Sequence, residues 1–548
     1  MRAISRSVPF ALALVALLGA SANGLAAQHP LMGLPLTDPA YRQLDALVQR
    51  GCGAARVSAF RPFIVEDLRG ALRTAGAEPR CAGSVLEELT SRFLQSDAAS
   101  DSASSSASSA PITFGAALTI RGTALHGGEM RPIWRDVRPT AEGDPPLLGL
   151  ARLRLAWNGG PRIMAVTEAY GETELRNDPT VRARRFRQTS GVLDFSEAYA
   201  SGRLGPVVLS VGRTREAWLG DGGDPVESMV LSANGPALDR IALDARWTRF
   251  EFRALVGSVD EVVLTPAMDA VPDSLGTQRW HRMLIAHALT FRPSDKLELT
   301  LGETGIIPRQ GGGVALNYAN PFMLYQVTQN DESPGAGRNG GVNLTAFGSV
   351  RASVGPASLQ GELVVDDIQI DSKDRQVYPD QLAWNVRGSV ALPSALPASL
   401  ALQYKRSGSF TYLSWSHANS WQQYGQPIGS ELGPDADMAR LSGDIWPSGK
   451  LLLTTGVSHW RRGAQRLEVR PVPSRQGHSG DPFPSTTADR AAVQSAWGAD
   501  IGAEWLGPIL PVSLRLEGAR IENVNNVPGS SRTIARLRIQ ATYRFRYP

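Results

Sequence analysis

Lysine is nearly missing from this 548-residue chain, occurring only at Lys296, Lys373, Lys405 and Lys450, so almost every cation is an arginine. The 56 basic residues are interspersed with 52 acidic ones, for a formal charge of +4. No basic stripe results, and nucleic acid is excluded as a partner. Cysteine occurs twice, at Cys52 and Cys81, with no neighbouring histidine to complete a metal-ligand set. The seven histidines are scattered. There is no H-E-x-x-H, no G-x-S-x-G elbow and no phosphate-binding glycine loop, so neither a catalytic residue nor a cofactor is assigned. Past the N-terminus no apolar run is long enough for a spanning helix; the best, Val390–Leu402, is broken by Pro393 and Pro397.

What the chain does contain is clearest in its last segment. Ala535, Leu537, Ile539, Ala541, Tyr543, Phe545 and Tyr547 alternate with Arg536, Arg538, Gln540, Thr542, Arg544 and Arg546. A strand sends alternate side chains to opposite faces, so one face is apolar and the other polar and cationic. A membrane barrel satisfies that pattern, with lipid outside, a wet lumen inside and aromatics at the interface. Upstream, similar sets recur at Phe114–Ile120, Ala151–Trp157, Ile241–Trp247 and Val512–Leu516.

The connections between such segments alternate in length. Short ones fall at 158–161, 202–205, 248–249, 292–295, 354–357, 392–398, 447–449 and 506–511. Long ones lie between them, from 127–146 to 522–532. Tight turns at one end, long loops at the other and both termini on the turn side describe an outer-membrane barrel. The expected fold is an all-β transmembrane barrel of about eighteen antiparallel strands with a small N-terminal α-helical module.

Residues 1–27 read as a secretory signal, with Arg2 and Arg6 ahead of an apolar stretch and Leu25-Ala26-Ala27 as the cleavage site. Residues 28–95 form the helical module, placed in the periplasm. Asp38 caps a helix carrying Tyr41, Leu44 and Leu47, Pro62–Ala75 is a second helix, and Ser84 with Glu87 has capping-box spacing for a third. In an oxidising compartment Cys52 and Cys81 form a disulfide. Residues 96–111, rich in serine and alanine, are a linker, and 112–548 are the barrel.

Three groups of residues could bear chemistry. His281 and His287 share a strand face and either look into the lumen or pack in the wall; His417 near Ser414 and Ser416 offers a weak hydrolase pattern. Asp366 and Asp367 are adjacent, so a strand sends them to opposite faces and a solvated strand end is the expectation. The long loop Phe410–Tyr424 is richer, with Tyr412, Trp415, Trp421 and Tyr424 among Ser, Asn and Gln. Rings for sugar C–H faces and amides for hydroxyls suit carbohydrate, while an aromatic girdle accounts for the same residues.

Several stretches resemble one family, the Wzi-like capsule-assembly outer-membrane proteins. They are Val211-Gly-Arg-Thr-Arg-Glu-Ala-Trp-Leu-Gly-Asp-Gly with Leu231-Ser-Ala-Asn, Gly361-Glu362 through Asp366-Asp367, and Asn419 to Asp437. Leu34-Pro-Leu-Thr-Asp followed by Arg61-Pro62-Phe63 is similar to the family's N-terminal module. Arg213, Trp218 and Asn234 occupy motif positions; Trp-Leu-Gly-Asp replaces the usual Trp-Gly-Pro. The resemblance implies an eighteen-stranded barrel acting as a surface lectin for capsular or exopolysaccharide. Its expected contacts would include Trp415, Trp421, Tyr424, Asp435 and Asp437. Expected partners are that polysaccharide, outer-membrane lipid, lipopolysaccharide and the barrel-assembly machinery, with the protein a monomer. A diffusion porin for oligosaccharides or small solutes is the alternative.

Overall fold

A computed structural model describes residues 28–94, 112–127, 147–172, 192–220, 228–232, 235–264, 278–309, 316–330, 342–368, 380–392, 397–414, 416–467, 483–487 and 489–545. The expected signal and the whole serine-rich linker 96–111 lie outside these residues.

Eighteen strands form the wall: β1 Ile112–His126, β2 Leu147–Asn158, β3 Ile163–Glu172, β4 Val192–Leu204, β5 Val207–Thr214, β6 Leu238–Arg246, β7 Phe250–Ser258, β8 Gln278–Ser294, β9 Leu297–Arg309, β10 Asn343–Val354, β11 Ala357–Asp367, β12 Gln381–Ala391, β13 Ala398–Ser407, β14 Ala436–Ser448, β15 Leu451–Arg462, β16 Gln494–Trp505, β17 Val512–Glu522 and β18 Ser531–Phe545. Each pairs antiparallel with its neighbours in sequence, and β1 closes on β18 with Ala116 opposite Phe545 and His126 opposite Ala535. The cylinder therefore has no free edge among its wall strands. The long connection between β7 and β8 is partly strand: Val262–Leu264 pairs with the start of β8.

The alternation read from β18 holds around the wall. Leu155, Ile241, Leu301, Leu402, Leu441, Ile501 and Ile539 point outward and are exposed. Trp157, Trp247, Phe250 and Trp505 are exposed near the short-turn end, and Phe195 and Trp497 near the other. On the inner face the arginines meet carboxylates. Arg154 pairs with Glu168 (3.3 Å) and Glu197 (3.0 Å), Arg292 with Glu251 (2.6 Å) and Glu298 (2.7 Å), and Arg536 with Glu517 (2.6 Å). A charge facing the lumen away from bulk water needs such a partner.

The N-terminal module contains helices α1 Ala40–Gln49, α2 Val65–Gly76 and α3 Ser84–Phe93, and Cys52 is bonded to Cys81. Asp38 Oδ1 accepts the Ala40 N–H at 2.8 Å, as a capping residue does, and Tyr41, Leu44 and Leu47 are buried. The second helix starts three residues later than expected. Ile64, in the expected first turn, bridges to Gly33 instead, and Phe60–Arg61 just before that turn pairs with Ala217–Trp218. The third has no capping box: Ser84 is already helical and Gly83, at φ +140°, precedes it.

This module closes the short-turn mouth. Its residues touch the rim all the way round: His29 at Gly160 O (2.9 Å), Glu66 at Arg203 (2.9 Å), Asp67 at Arg246 (2.8 Å), Arg56 at Ser353 (3.2 Å), Gln49 at Ser399 (3.0 Å), Gln43 at Gly449 O (2.8 Å) and Arg42 at Glu504 (2.5 Å). Gly51, at φ +86°, ends α1 where an added Cβ would lie 2.4 Å from Gly355 O, so only glycine fits there. The wall residues Trp446 and Leu452 belong to the module's own apolar core.

The disulfide spans 29 residues of sequence. Replacing both cysteines by serine is expected to remove about 3.5 kcal/mol from the module. Limited proteolysis then cuts within 28–94 at lower protease concentration, while the barrel keeps its heat-dependent shift on electrophoresis.

Candidate functional site: the loop-packed lumen

At the long-loop end the described parts of the β5–β6 and β13–β14 connections fold into the barrel. After β5, Ala217–Trp218 pairs with Phe60–Arg61 of the module, and Leu219 N donates to Ala59 O (2.8 Å). Trp218 N donates to Leu231 O (2.9 Å), and Ser232 N to Ile428 O (2.9 Å) in the β13–β14 loop. A column of main-chain contacts thus runs through the lumen from the module to residues 421–428. Its side chains are apolar: Trp218 packs on Phe60 (4.9 Å between centroids) and Phe347 (6.2 Å), and Met229, Leu231, Tyr412, Trp421 and Ile428 join the same core.

Backbone buried this way must find partners other than water, and the wall supplies them. Glu362 Oε2 accepts the Met229 N–H (2.9 Å), and Asp366 Oδ2 accepts the Tyr412 N–H (2.8 Å). Arg351 and Gln360 donate to Leu219 O (2.5 and 2.8 Å), and Arg282 donates to Ser420 O (3.1 Å) and Gln422 O (2.8 Å). Tyr412 Oη donates to Met229 O at 2.6 Å, tying two loops together. Leu219, Tyr412, Tyr424 and Asp435 all take positive φ between 52° and 71°. Non-glycine residues there cost about 1–2 kcal/mol each, so these contacts must outweigh local strain.

Asp435 is the most heavily bonded of the expected contact residues. Its carboxylate accepts from Ser409 Oγ (3.2 Å), Gln465 N (3.0 Å), Ser485 N (2.8 Å) and Ser485 Oγ (2.5 Å). Burial pushes its carboxyl up from the usual range while the Ser485, Gln465 and Ser409 donors pull it down. It joins three stretches of loop instead of facing solvent. Trp421 is also buried, at 2% exposure, within the lumen core. Asp437 is buried beside Arg461 (Nε to Oδ1 3.0 Å) and Tyr404 (3.0 Å). Tyr424 is half-buried at the tip of the small hairpin Gln422–Pro427, within electrostatic reach of Arg213. Trp415 and Asn234 lie outside the described residues.

The motif positions hold the assembly together. Arg213 bridges Asp239 (2.7 Å) and Asp194 (3.5 Å), and Trp218 is fully buried with its N–H on Glu216 (3.2 Å). Asp366 is not a solvated strand end; it faces inward and holds Tyr412 and Thr345 Oγ1 (3.0 Å), while Asp367 is exposed. His287 packs on the outside of the wall, not in the lumen. Ser416 Oγ caps the short turn at His417 by accepting the Ala418 N–H (3.3 Å). Among the described residues the one group spaced for a metal is Cys52, Glu78 and Cys81, whose sulfurs are bonded to each other.

Sequence reading missed Glu362, Gln360, Arg351 and Arg282 as anchors. The signal was available for Glu362, which lies four residues from Asp366 on one strand, hence on the same face. Asp435→Ala is expected to destabilise the folded barrel by about 3 kcal/mol, because several buried donors lose their acceptor together. Thermal unfolding in detergent measures it, with Asp435→Asn losing less.

No family model matches the sequence, and no curated protein matches it. Among solved structures the fold is similar to Wzi, an outer-membrane protein involved in group 1 capsule assembly in Escherichia coli and described as a carbohydrate-binding β-barrel. That match has a TM-score of 0.56 and 14% identity, covering 93% of this chain and 99% of the other. OccD3 (OpdP) of Pseudomonas aeruginosa matches at TM-score 0.44 and 11% identity over 80% of this chain and 91% of its own. OprD of the same organism matches at 0.42 and 9%, over 79% and 93%. The chain has the fold of an eighteen-stranded outer-membrane β-barrel.

Proposed function

We propose that this protein sits in the bacterial outer membrane and holds a capsular or exopolysaccharide at the cell surface, binding it without catalysis. The observation that carries the reading is the packed chain that crosses the lumen. One mouth is closed by the helical module, and the loops packed above it share a continuous apolar core with Phe60 of the N-terminal segment. A barrel built for diffusion keeps a water-filled interior, so this interior favours binding over transport. The exposed apolar band supports a hydrocarbon surround. With short turns on the periplasmic side, the module lies in the periplasm and the loop end faces outward. The fold shared with Wzi supports the ligand class.

In this reading the sugar contacts lie on the outer surface of the β13–β14 loop, where Tyr424 and Gln422 are half-buried. Buried Trp421 and Asp435 shape that loop from beneath. The protein works as a monomer, with outer-membrane lipid, lipopolysaccharide and the barrel-assembly machinery as its other partners, and without a cofactor.

Two measurements on the purified full chain test the proposal. It shows no steady conductance in planar bilayers and binds an acidic or neutral polysaccharide on a glycan array. Tyr424→Ala weakens that binding on the order of tenfold, the scale of one aromatic contact. Steady conductance with no glycan bound would replace the lectin by a porin.

A further inference from the structure

The connection between β9 and β10 contains a segment that neither extends away from the barrel nor enters the lumen. Residues 316–330, with short helices α4 Leu316–Ala319 and α5 Tyr325–Asn330, lie against the outside of the wall. On β8 the lumen side is taken by Leu284, Ala286 and Ala288, so Met283, Ile285 and His287 point outward. Those residues should be bare, as Leu289 is on the same face. Met283, Ile285, Ile307 and Leu344 are buried instead, under Tyr318 and Tyr325.

The covered surface includes a polar pair. His287 and Glu303 are directly opposite on β8 and β9, with Nε2 and Oε2 3.4 Å apart. Glu303 accepts the Tyr325 N–H at 2.7 Å, at the start of α5, and the Tyr325 ring lies 4.3 Å from the His287 ring. A bare carboxylate on the outer wall is unfavourable in hydrocarbon. Here it is covered and bonded.

The uncovered side of the segment carries large apolar side chains, with Asn317, Asn320 and Gln326 also exposed between them. Phe322 is 79% exposed, Leu324 60% and Val327 54%. Phe322 stacks on outward-facing Phe252 (5.7 Å, 9° between planes), in the row that contains Leu289 and Leu301. That row is about six residues from the turn at Asp295, roughly 15 Å up a tilted wall, and so falls within an apolar band about 25 Å tall. Leu301 beside it is 71% exposed, so the segment's apolar face continues the bare wall.

Irregular backbone is excluded from hydrocarbon unless its polar groups are satisfied. In this segment Phe322 N donates to Asn320 Oδ1 (3.1 Å), Met323 N to Asn320 O (3.3 Å) and Val327 N to Leu324 O (3.1 Å), while Tyr325 N goes to Glu303. We infer that residues 316–330 are a strap immersed in the bilayer, with Phe322, Leu324 and Val327 in contact with acyl chains and the Glu303–His287 pair sealed beneath. The strap fixes the outer loop to the lipid side of the barrel. This rests on the bilayer placement proposed above.

The test uses the full chain with single cysteines, Leu324→Cys on the strap, Leu301→Cys on bare wall and Val527→Cys on a loop, each labelled with an environment-sensitive fluorophore. Folding is checked by the electrophoretic shift, and Val327→Cys replaces Leu324→Cys if that variant does not fold. In phosphatidylcholine vesicles carrying acyl-chain nitroxides, the 324 and 301 labels are quenched by the nitroxide and spared by aqueous iodide; the 527 label behaves oppositely. A 301 label quenched by lipid beside a 324 label quenched by iodide overturns the strap and leaves the bilayer placement standing. Lipid quenching at neither position overturns both. Disulfide cross-linking between Leu324→Cys copies that persists on dilution with lipid assigns the face to a second copy and overturns the strap.

Discussion

The hydrogen-bonded ladder between β1 and β18 is the constraint on which the rest depends. Once it closes, each wall side chain has one of two environments, decided by the parity of its position. An eighteen-stranded cylinder is too wide for its own side chains to fill. Its interior must hold water or other parts of the chain. Here the chain occupies much of it on the side of β6–β13: Phe60 and Trp218 meet in the lumen, and Leu231, Ile428 and Trp421 continue the packing toward the loop end.

Filling a barrel with loops moves many main-chain polar groups away from solvent, each costing about 1–3 kcal/mol if left alone. The inner wall is polar for that reason as much as for any pore. Glu362, Asp366, Gln360, Arg351 and Arg282 serve loop backbone. The inner charges also neutralise one another in chains such as Arg246–Glu251–Arg292–Glu298–Arg351. Ser58 of the module donates to Glu251 at 2.5 Å, so the same network seats the N-terminal domain. Burying such a network is close to neutral when complete and strongly unfavourable when one partner is missing. That links the position of the module to the order of the wall.

The strand count, the closing pair and the two faces of β18 were legible because period-two alternation and turn length are local properties. Arg536 pointing inward to Glu517 and Ile539 pointing outward follow from parity alone. The disulfide was legible because only two cysteines exist. What was not legible depends on contacts distant in sequence. Trp421 and Asp435 have the composition of a sugar-binding loop, yet Trp421 packs beside Met229 and Ile428, and Asp435 is bonded to Ser409, Gln465 and Ser485. Nothing within residues 410–437 says whether the loop points out or in. The late start of α2 has the same origin, since Ile64 bridges to Gly33 and Phe60 just before it pairs with a residue more than a hundred positions away. The loop 316–330 folds down the outer wall because Glu303 and His287 lie there, a relation set by the register of β8 and β9.

A spine of chain passes through the barrel from the N-terminal module to the outer loops, and amide hydrogen exchange tests it. The N–H groups of Trp218, Leu219 and Ser232 are bonded inside the lumen to Leu231, Ala59 and Ile428. These amides are expected to exchange as slowly as those in the centre of β11, despite belonging to loops by sequence. Exchange at the rate of an exposed turn, with the wall strands still protected, would contradict it.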